Sequence, residues 1–169
     1  MGRTSSKIVV FTEDSYGRFF IKRLVYGKLN LEKEIRVQRL AGVCYTKSTR
    51  QLIAASSDCS KIVILVDGDG EPENVERLME RHIRKALEKV HSLSIHLIVV
   101  NTEIEEWVCE GLGIRYGQKP SEDLNRYLQK NFGYTYRKSM LPDFADKIDP
   151  TKLSKSKSFA RFMKALEDP

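Results

Sequence analysis

The chain has 169 residues, 41% hydrophobic and 31% charged, with a net charge of +6. That length fits one domain and buries a core without cross-links. No apolar run nears the roughly 18 residues of a membrane span. Cys44, Cys59 and Cys109 are an odd set with no CxxC pairing, which argues against a disulfide scaffold or zinc knuckle and for a reducing, cytoplasmic setting. The basic excess favours an anionic partner, nucleic acid first.

From the N-terminus, a polar stretch of six residues predicts no signal peptide. Met1–Ser6 fits the N-myristoylation pattern, which chance also produces, and no second anchor signal accompanies it. Lys7-Ile-Val-Val-Phe-Thr-Glu13 reads as a buried strand ending in an acid. Asp14 or Ser15 then caps a helix whose apolar face is Tyr16, Phe19, Phe20, Leu24 and Val25, with Gly27 and Asn30 ending it. Glu34–Leu40 is a weaker strand. Gly42–Ser48 lacks the second glycine and the spacing of a phosphate-binding P-loop. Thr46–Ser57 reads as a short helix.

The centre of the chain is Lys61-Ile-Val-Ile-Leu-Val-Asp-Gly-Asp-Gly70. Five unbroken aliphatic residues ended by an acid predict a strand buried on both faces, as in a parallel sheet. Asp67 and Asp69 at its carboxyl end form a site for a hard cation. The plainer alternative is a helix-capping turn, since Pro72 opens a long helix and acids are favourable there. That helix carries Val75, Leu78, Met79, His82, Ile83, Ala86, Leu87 and Val90 on one stripe. Ser94–Val100 is the next buried strand. Asn101-Thr-Glu-Ile-Glu-Glu-Trp107 follows it and opens a short helix to about Gly111.

The order β-α-β-α-β-α-β-α predicts an α/β fold, a mainly parallel sheet of about four strands flanked by helices. Parallel strands bring Glu13, then Asp67 with Asp69, then Glu103 with Glu105, to one sheet edge. Residues 1–112 form this core, and 113–169 form an irregular and helical extension packed on it. Within the extension Ser121–Lys130 is a capped helix and Tyr134–Pro150 is irregular. Phe159, Phe162, Met163 and Leu166 make an apolar stripe that docks on the domain body.

A Glu closing the first strand, an Asp-x-Asp closing a later one and a Glu-x-Glu after the next together resemble the TOPRIM domain. That is the catalytic fold of topoisomerases, primases, small ribonucleases and OLD-family nucleases. The Glu-x-Glu version is closest to the OLD-type branch. The core resemblance covers residues 7 to 110. The whole chain is also similar to a family of small stand-alone TOPRIM-like proteins, through Glu105-Glu-Trp107 and Ser158-Phe-Ala-Arg-Phe-Met-Lys-Ala-Leu166. One departure is Asp14, which stands where TOPRIM proteins carry a glycine that allows close approach of a phosphate backbone.

The resemblance implies that Asp67, Asp69, Glu103 and Glu105 hold one or two Mg²⁺ (or Mn²⁺) ions. Glu13 is then a general acid/base or a further ligand, and Glu13, Asp67 and Asp69 are the catalytic set. Steering cations come from Arg18, Lys22, Arg137, Lys138, Lys147, Lys152, Lys155 and Lys157. Arg18, Lys147, Lys152, Lys155 and Lys157 are the preferred nucleic-acid contacts. The leading expectation is a Mg²⁺-dependent nuclease, a hydrolase, or a related phosphotransfer protein acting on DNA or RNA. The alternative is a non-catalytic nucleic-acid- or protein-binding module. An Asp-x-Asp phosphatase is third, because such enzymes carry their nucleophile on the first strand. A homodimer or larger assembly through the C-terminal region is left open, and no membrane partner is expected.

Overall fold

The computed structural model describes residues 7–31, 33–41, 46–90 and 92–168. Cys44, His91 and part of the Gly42–Ser48 stretch lie outside the described residues. Four strands, β1 (Ile8–Thr12), β2 (Ile35–Arg39), β3 (Lys61–Asp67) and β4 (Ser94–Val100), pair in the order β2-β1-β3-β4. All three pairings are parallel, with Ile8 opposite Ile35 and Lys61, and Ile62 opposite Ile95. The α/β architecture expected from the alternation of elements is the one observed.

Alternation along the strands builds a core on each face of the sheet. Ile8 and Val10 of β1, Val63 and Leu65 of β3, and Ile98 and Val100 of β4 join one buried cluster. Val9, Phe11, Ile62, Ile64 and Val66 join the other. Helices α2 (Thr46–Ala55) and α3 (Pro72–Lys89) cover the second face, through Leu52, Ala55, Met79, Ile83 and Ala86. Helices α1 (Ser15–Arg23), α4 (Glu105–Leu112), α5 (Pro120–Phe132) and α6 (Lys157–Glu167) cover the first.

Helix α1 buries Gly17, Phe20, Ile21 and Leu24, the i, i+3, i+4, i+7 positions of one face. Tyr16 and Phe19, expected on that face, fall outside this stripe and are exposed. The chain then widens into a π-helical turn, Leu24–Lys28, before Asn30 at φ 43° breaks it. On α3, Leu78 is likewise exposed, at the edge of the stripe.

The stretch from 134 to 150, which reads as irregular, contains a 3-10 segment, Lys138–Asp146. A second follows at Pro150–Lys155. Leu141, Phe144, Ala145, Ile148 and Leu153 sink into the same cluster as β1 and β2. The C-terminal stripe docks as expected: Phe159, Phe162 and Leu166 are buried. Trp107 sits against Phe159 edge-to-face at 5.1 Å and against Phe162 at 5.4 Å, and its Nε1 donates to Ser158 Oγ at 2.9 Å. Two sequence stretches 51 positions apart thus meet in one aromatic cluster.

The end of α6 is held from the sheet. Lys61 Nζ donates to Ala165 O at 2.8 Å, and Lys33 Nζ donates to Leu166 O and Glu167 O at 2.8 Å each. Cations there satisfy carbonyls that have no partner within the helix. Among the described residues no helix is long and apolar enough to cross a membrane.

Candidate functional site

After β1 the chain moves outward to β2, then crosses back to β3 on the other side of β1. The carboxyl ends of β1 and β3 therefore part, opening the kind of crevice where α/β sheets bind ligands. Glu13 leaves β1 and Asp67 ends β3. The two meet: Glu13 Oε1 accepts from the Asp67 backbone N–H at 3.2 Å. Asp67 Oδ1 accepts in turn from the Ile104 N–H at the start of α4, at 2.9 Å. A cavity of about 20 Å³ lies beside them, lined by Thr12, Glu13, Asp14, Asp67, Ile104 and Lys138 among others. That is room for one water or one ion.

The loop after β3 is built around Gly68. A Cβ there would stand 2.4 Å from Val100 O and 2.8 Å from Asn101 O, so no side chain fits. The next residue, Asp69, takes a left-handed φ of 51° and donates its N–H to Thr102 O at 3.0 Å. Aspartate tolerates this conformation better than most residues. Its side chain is exposed, and its charge reaches Glu13.

The remaining acids go elsewhere. Asp14 caps α1, accepting from the Gly17 N–H at 2.7 Å. Glu103 turns to the start of α5 and accepts from Ser121 N–H at 3.3 Å and Ser121 Oγ at 2.9 Å. Glu105 is 1% exposed, and its Oε1 accepts from Lys138 Nζ at 2.6 Å and Tyr136 Oη at 3.0 Å. Its Oε2 is buried with no hydrogen-bond partner among the described residues. The helix-capping alternative for Asp67 and Asp69 fails at α3, whose N-cap is Glu71 with no side-chain cap; Asp67 turns instead to the N–H at the start of α4.

Burial, then the charge of Glu13, pushes the Asp67 carboxyl up to about 8, against the pull of Lys138. Burial also raises Glu13, with Asp69 and Asp14 adding to it. Burial opposes the Lys138 ammonium, but Glu105 outweighs it and Lys138 is raised above the ordinary lysine value. The crevice thus holds two under-compensated carboxyls at its mouth and one closed ion pair behind them.

The expected steering cations are more scattered. Arg18 Nε donates to Val37 O at 3.1 Å and its guanidinium lies 5.7 Å from the Phe19 ring centre. Lys147 lies over Phe144 at 5.3 Å. Lys152, Lys155 and Lys157 are exposed at the end of the 3-10 segment and the start of α6. The cation that acts on Glu13, Asp67 and Glu105 is Lys138, which the sequence offered only as one base among many. Tyr136 carries no sequence signal for its role, because both residues arrive from more than 30 positions away.

Among the described residues no three His, Cys, Asp or Glu side chains gather as a metal cage. The donors fit a more open arrangement. Mg²⁺ keeps several waters and is bound by one or two carboxylates plus substrate phosphates. Glu13 and Asp67 are two carboxyls that line one cavity, and the charge of Glu13 helps to raise Asp67. Compared with known proteins, the sequence matches no family model and no curated protein.

The raised carboxyls set the sign of the pH dependence. Asp67 in the folded protein binds its proton at about 8, well above an unfolded aspartate. Its contribution to stability is complete below the unfolded value and is lost as pH rises through the folded one. Metal-free protein in chelator is expected to melt at lower temperature at about pH 8 than at about pH 5, and Asp67→Asn to flatten that slope. Thermal melts of both proteins across this range check it; equal slopes would contradict the burial of a protonated Asp67.

Proposed function

We propose that the protein is a Mg²⁺-dependent nuclease or related phosphotransfer protein of TOPRIM type, acting on nucleic acid in the cytoplasm. The observation that carries this reading is the Glu13–Asp67 pair at the point where the strand order reverses. Glu13 after β1 and Asp67 and Asp69 after the adjacent β3 lie at one edge, and they are three of the five acids that the TOPRIM resemblance selects.

In this reading Asp67 would hold the cation with the exposed carboxylate of Asp69, and Glu13 beside them would serve as general acid/base or as a further ligand. A bound Mg²⁺ supplies polarisation of a phosphoryl oxygen and a water of lowered pKa. The chain supplies the rest. The Ile104 N–H fixes the orientation of Asp67. Glu13, raised by burial, is suited to carry a proton to or from the reacting oxygens. Lys138, one-third exposed, balances charge between Glu105 and the crevice. The four-carboxylate cage is not part of the proposal, because Glu103 and Glu105 are engaged by Ser121, Tyr136 and Lys138.

That same engagement favours a second reading, a nucleic-acid- or protein-binding module, alone or as a homodimer, that no longer turns over. The test is a calorimetric titration of Mg²⁺ and Mn²⁺ into wild type and into Asp67→Asn/Asp69→Asn, with and without oligonucleotide, followed by cleavage assays on labelled DNA and RNA. Metal binding and cleavage that the double substitution removes support the nuclease. Cleavage unchanged in the variant removes the assignment. Oligonucleotide binding with neither metal uptake nor turnover selects the module.

A further inference from the structure

Beyond the acid crevice, the structure holds an aromatic surface with no part in the core. Phe132 at the end of α5 is 62% exposed and Tyr134 just after it is 38% exposed. Their rings stand 5.9 Å apart, and Tyr127 packs edge-on to Phe132 at 6.2 Å. Leaving a phenylalanine this open costs hydrophobic stabilisation, so a surface of this kind marks a contact.

The surface is pre-organised. Gly133 ends α5 in the left-handed conformation at φ 74°, which turns the chain back along the helix. The returning segment is then tied down: Tyr136 N–H donates to Asn125 Oδ1 at 2.8 Å, and Gln129 Nε2 donates to Thr135 Oγ1 at 3.4 Å. Its outward residues are Tyr134 and Arg137, and its inward residues Tyr136 and Lys138 are those that grip Glu105. Tyr134 and Lys138 are four positions apart, at most about 14 Å of extended chain. The aromatic surface and the crevice are two ends of one short segment.

Charge selects the occupant. Residues 125–140 carry Arg126, Lys130, Arg137 and Lys138 and not one Asp or Glu. Arg126 is paired with Asp123 at 2.5 Å, while Lys130 and Arg137 are exposed. Open aromatic rings interleaved with cations are what unpaired bases and their phosphates require. A duplex hides its base faces inside the stack, so the rings offer it nothing.

We infer that Phe132 and Tyr134, with Lys130 and Arg137, form a stacking platform for single-stranded nucleic acid that leads the strand to the Glu13–Asp67 crevice. The inference rests on the nucleic-acid reading of that crevice, but binding at the platform needs no metal. Removing two stacking partners is expected to weaken single-strand binding by about 30-fold or more.

The test is fluorescence anisotropy in chelator at low salt, with labelled oligothymidylate, oligouridylate and a duplex of equal length. Wild type is expected to bind single strands more tightly than the duplex, and Phe132→Ala/Tyr134→Ala to lose that binding with an unchanged melting temperature. Phe132→Trp keeps binding, and its exposed indole is quenched as the oligonucleotide stacks. Binding equal in wild type and the double alanine variant overturns the platform, as does a duplex bound as tightly as a single strand. So does a dimer in sedimentation that the double variant disperses while no oligonucleotide binds, which makes the surface a protein contact. Failure of cleavage alone, with single-strand binding intact, strikes only the nuclease reading.

Discussion

Trp107→Ala is expected to destabilise the fold by about 4 kcal/mol, the range found for deleting a large buried aromatic. Trp107 is fully buried. It is the joint between α4, which carries Glu105, and α6, which supplies Ser158, Phe159 and Phe162. Truncation leaves a void on the α4 side, strips Phe159 and Phe162 of their contacts with the indole and removes the Nε1–Ser158 bond, leaving Ser158 Oγ with Ser156 Oγ at 3.2 Å. For a chain of this size the loss lowers the melting temperature by about 8–16 °C. Trp107→Phe retains an aromatic ring and drops the Nε1–Ser158 bond, so it should cost much less, about 1–2 kcal/mol. Urea unfolding of the three proteins checks the ordering. A Trp107→Ala variant within about 1 kcal/mol of wild type would mean that α6 is not held through this cluster.

Lys138→Met is expected to cost about 2–3 kcal/mol in metal-free protein. Breaking a buried ion pair by removing one partner costs about 3–5 kcal/mol, because the other charge stays buried. The lower figure applies here because the Lys138 side chain is 33% exposed, while Glu105 is at 1%. Glu105 would keep only the Tyr136 hydroxyl on Oε1, with Oε2 already unpartnered. Adding Glu105→Gln removes the stranded charge and should recover most of the loss, giving a double-mutant cycle of clear sign. Additive losses in that cycle would show that the pair is not coupled. The single variant should also steepen the pH dependence of stability, since Lys138 holds the Asp67 carboxyl down.

Much of the architecture was legible because its signals are local. Ile62–Val66 is too short and too apolar for anything but a doubly buried strand, and Val75–Val90 repeats with helical period. Alternation of such elements dictates parallel pairing, and parallel pairing puts Glu13 and Asp67 on one edge. The exposed Tyr16 and Phe19 show the limit of that reasoning. Pattern identifies a helix, but a few tens of degrees of rotation decide which aromatics reach the core, and β2 and the 3-10 segment set that rotation.

The site itself divides the same way. Residue order along the chain places the acids at strand ends, because strand-to-helix turns are local. Whether each acid faces the crevice depends on what else needs a carboxylate nearby. The start of α5 takes Glu103, the Gly17 N–H takes Asp14, and Lys138 with Tyr136 takes Glu105. The partners of Glu103 and Glu105 lie 18 to 33 positions away and carry no periodic signal, whereas the Gly17 N–H is three positions from Asp14 and the cap it makes was legible in the sequence. Lys61 is a further case: it reads as the polar edge of a strand, yet it is buried and grips the end of α6 104 positions away. Sequence by itself determined the elements, their alternation and the acids at the sheet edge, because those follow from the chemistry of neighbours. Tertiary structure alone decided which acids stay open and which are spent, because hydrogen bonds and ion pairs at a site are settled by what folding brings within about 3 Å.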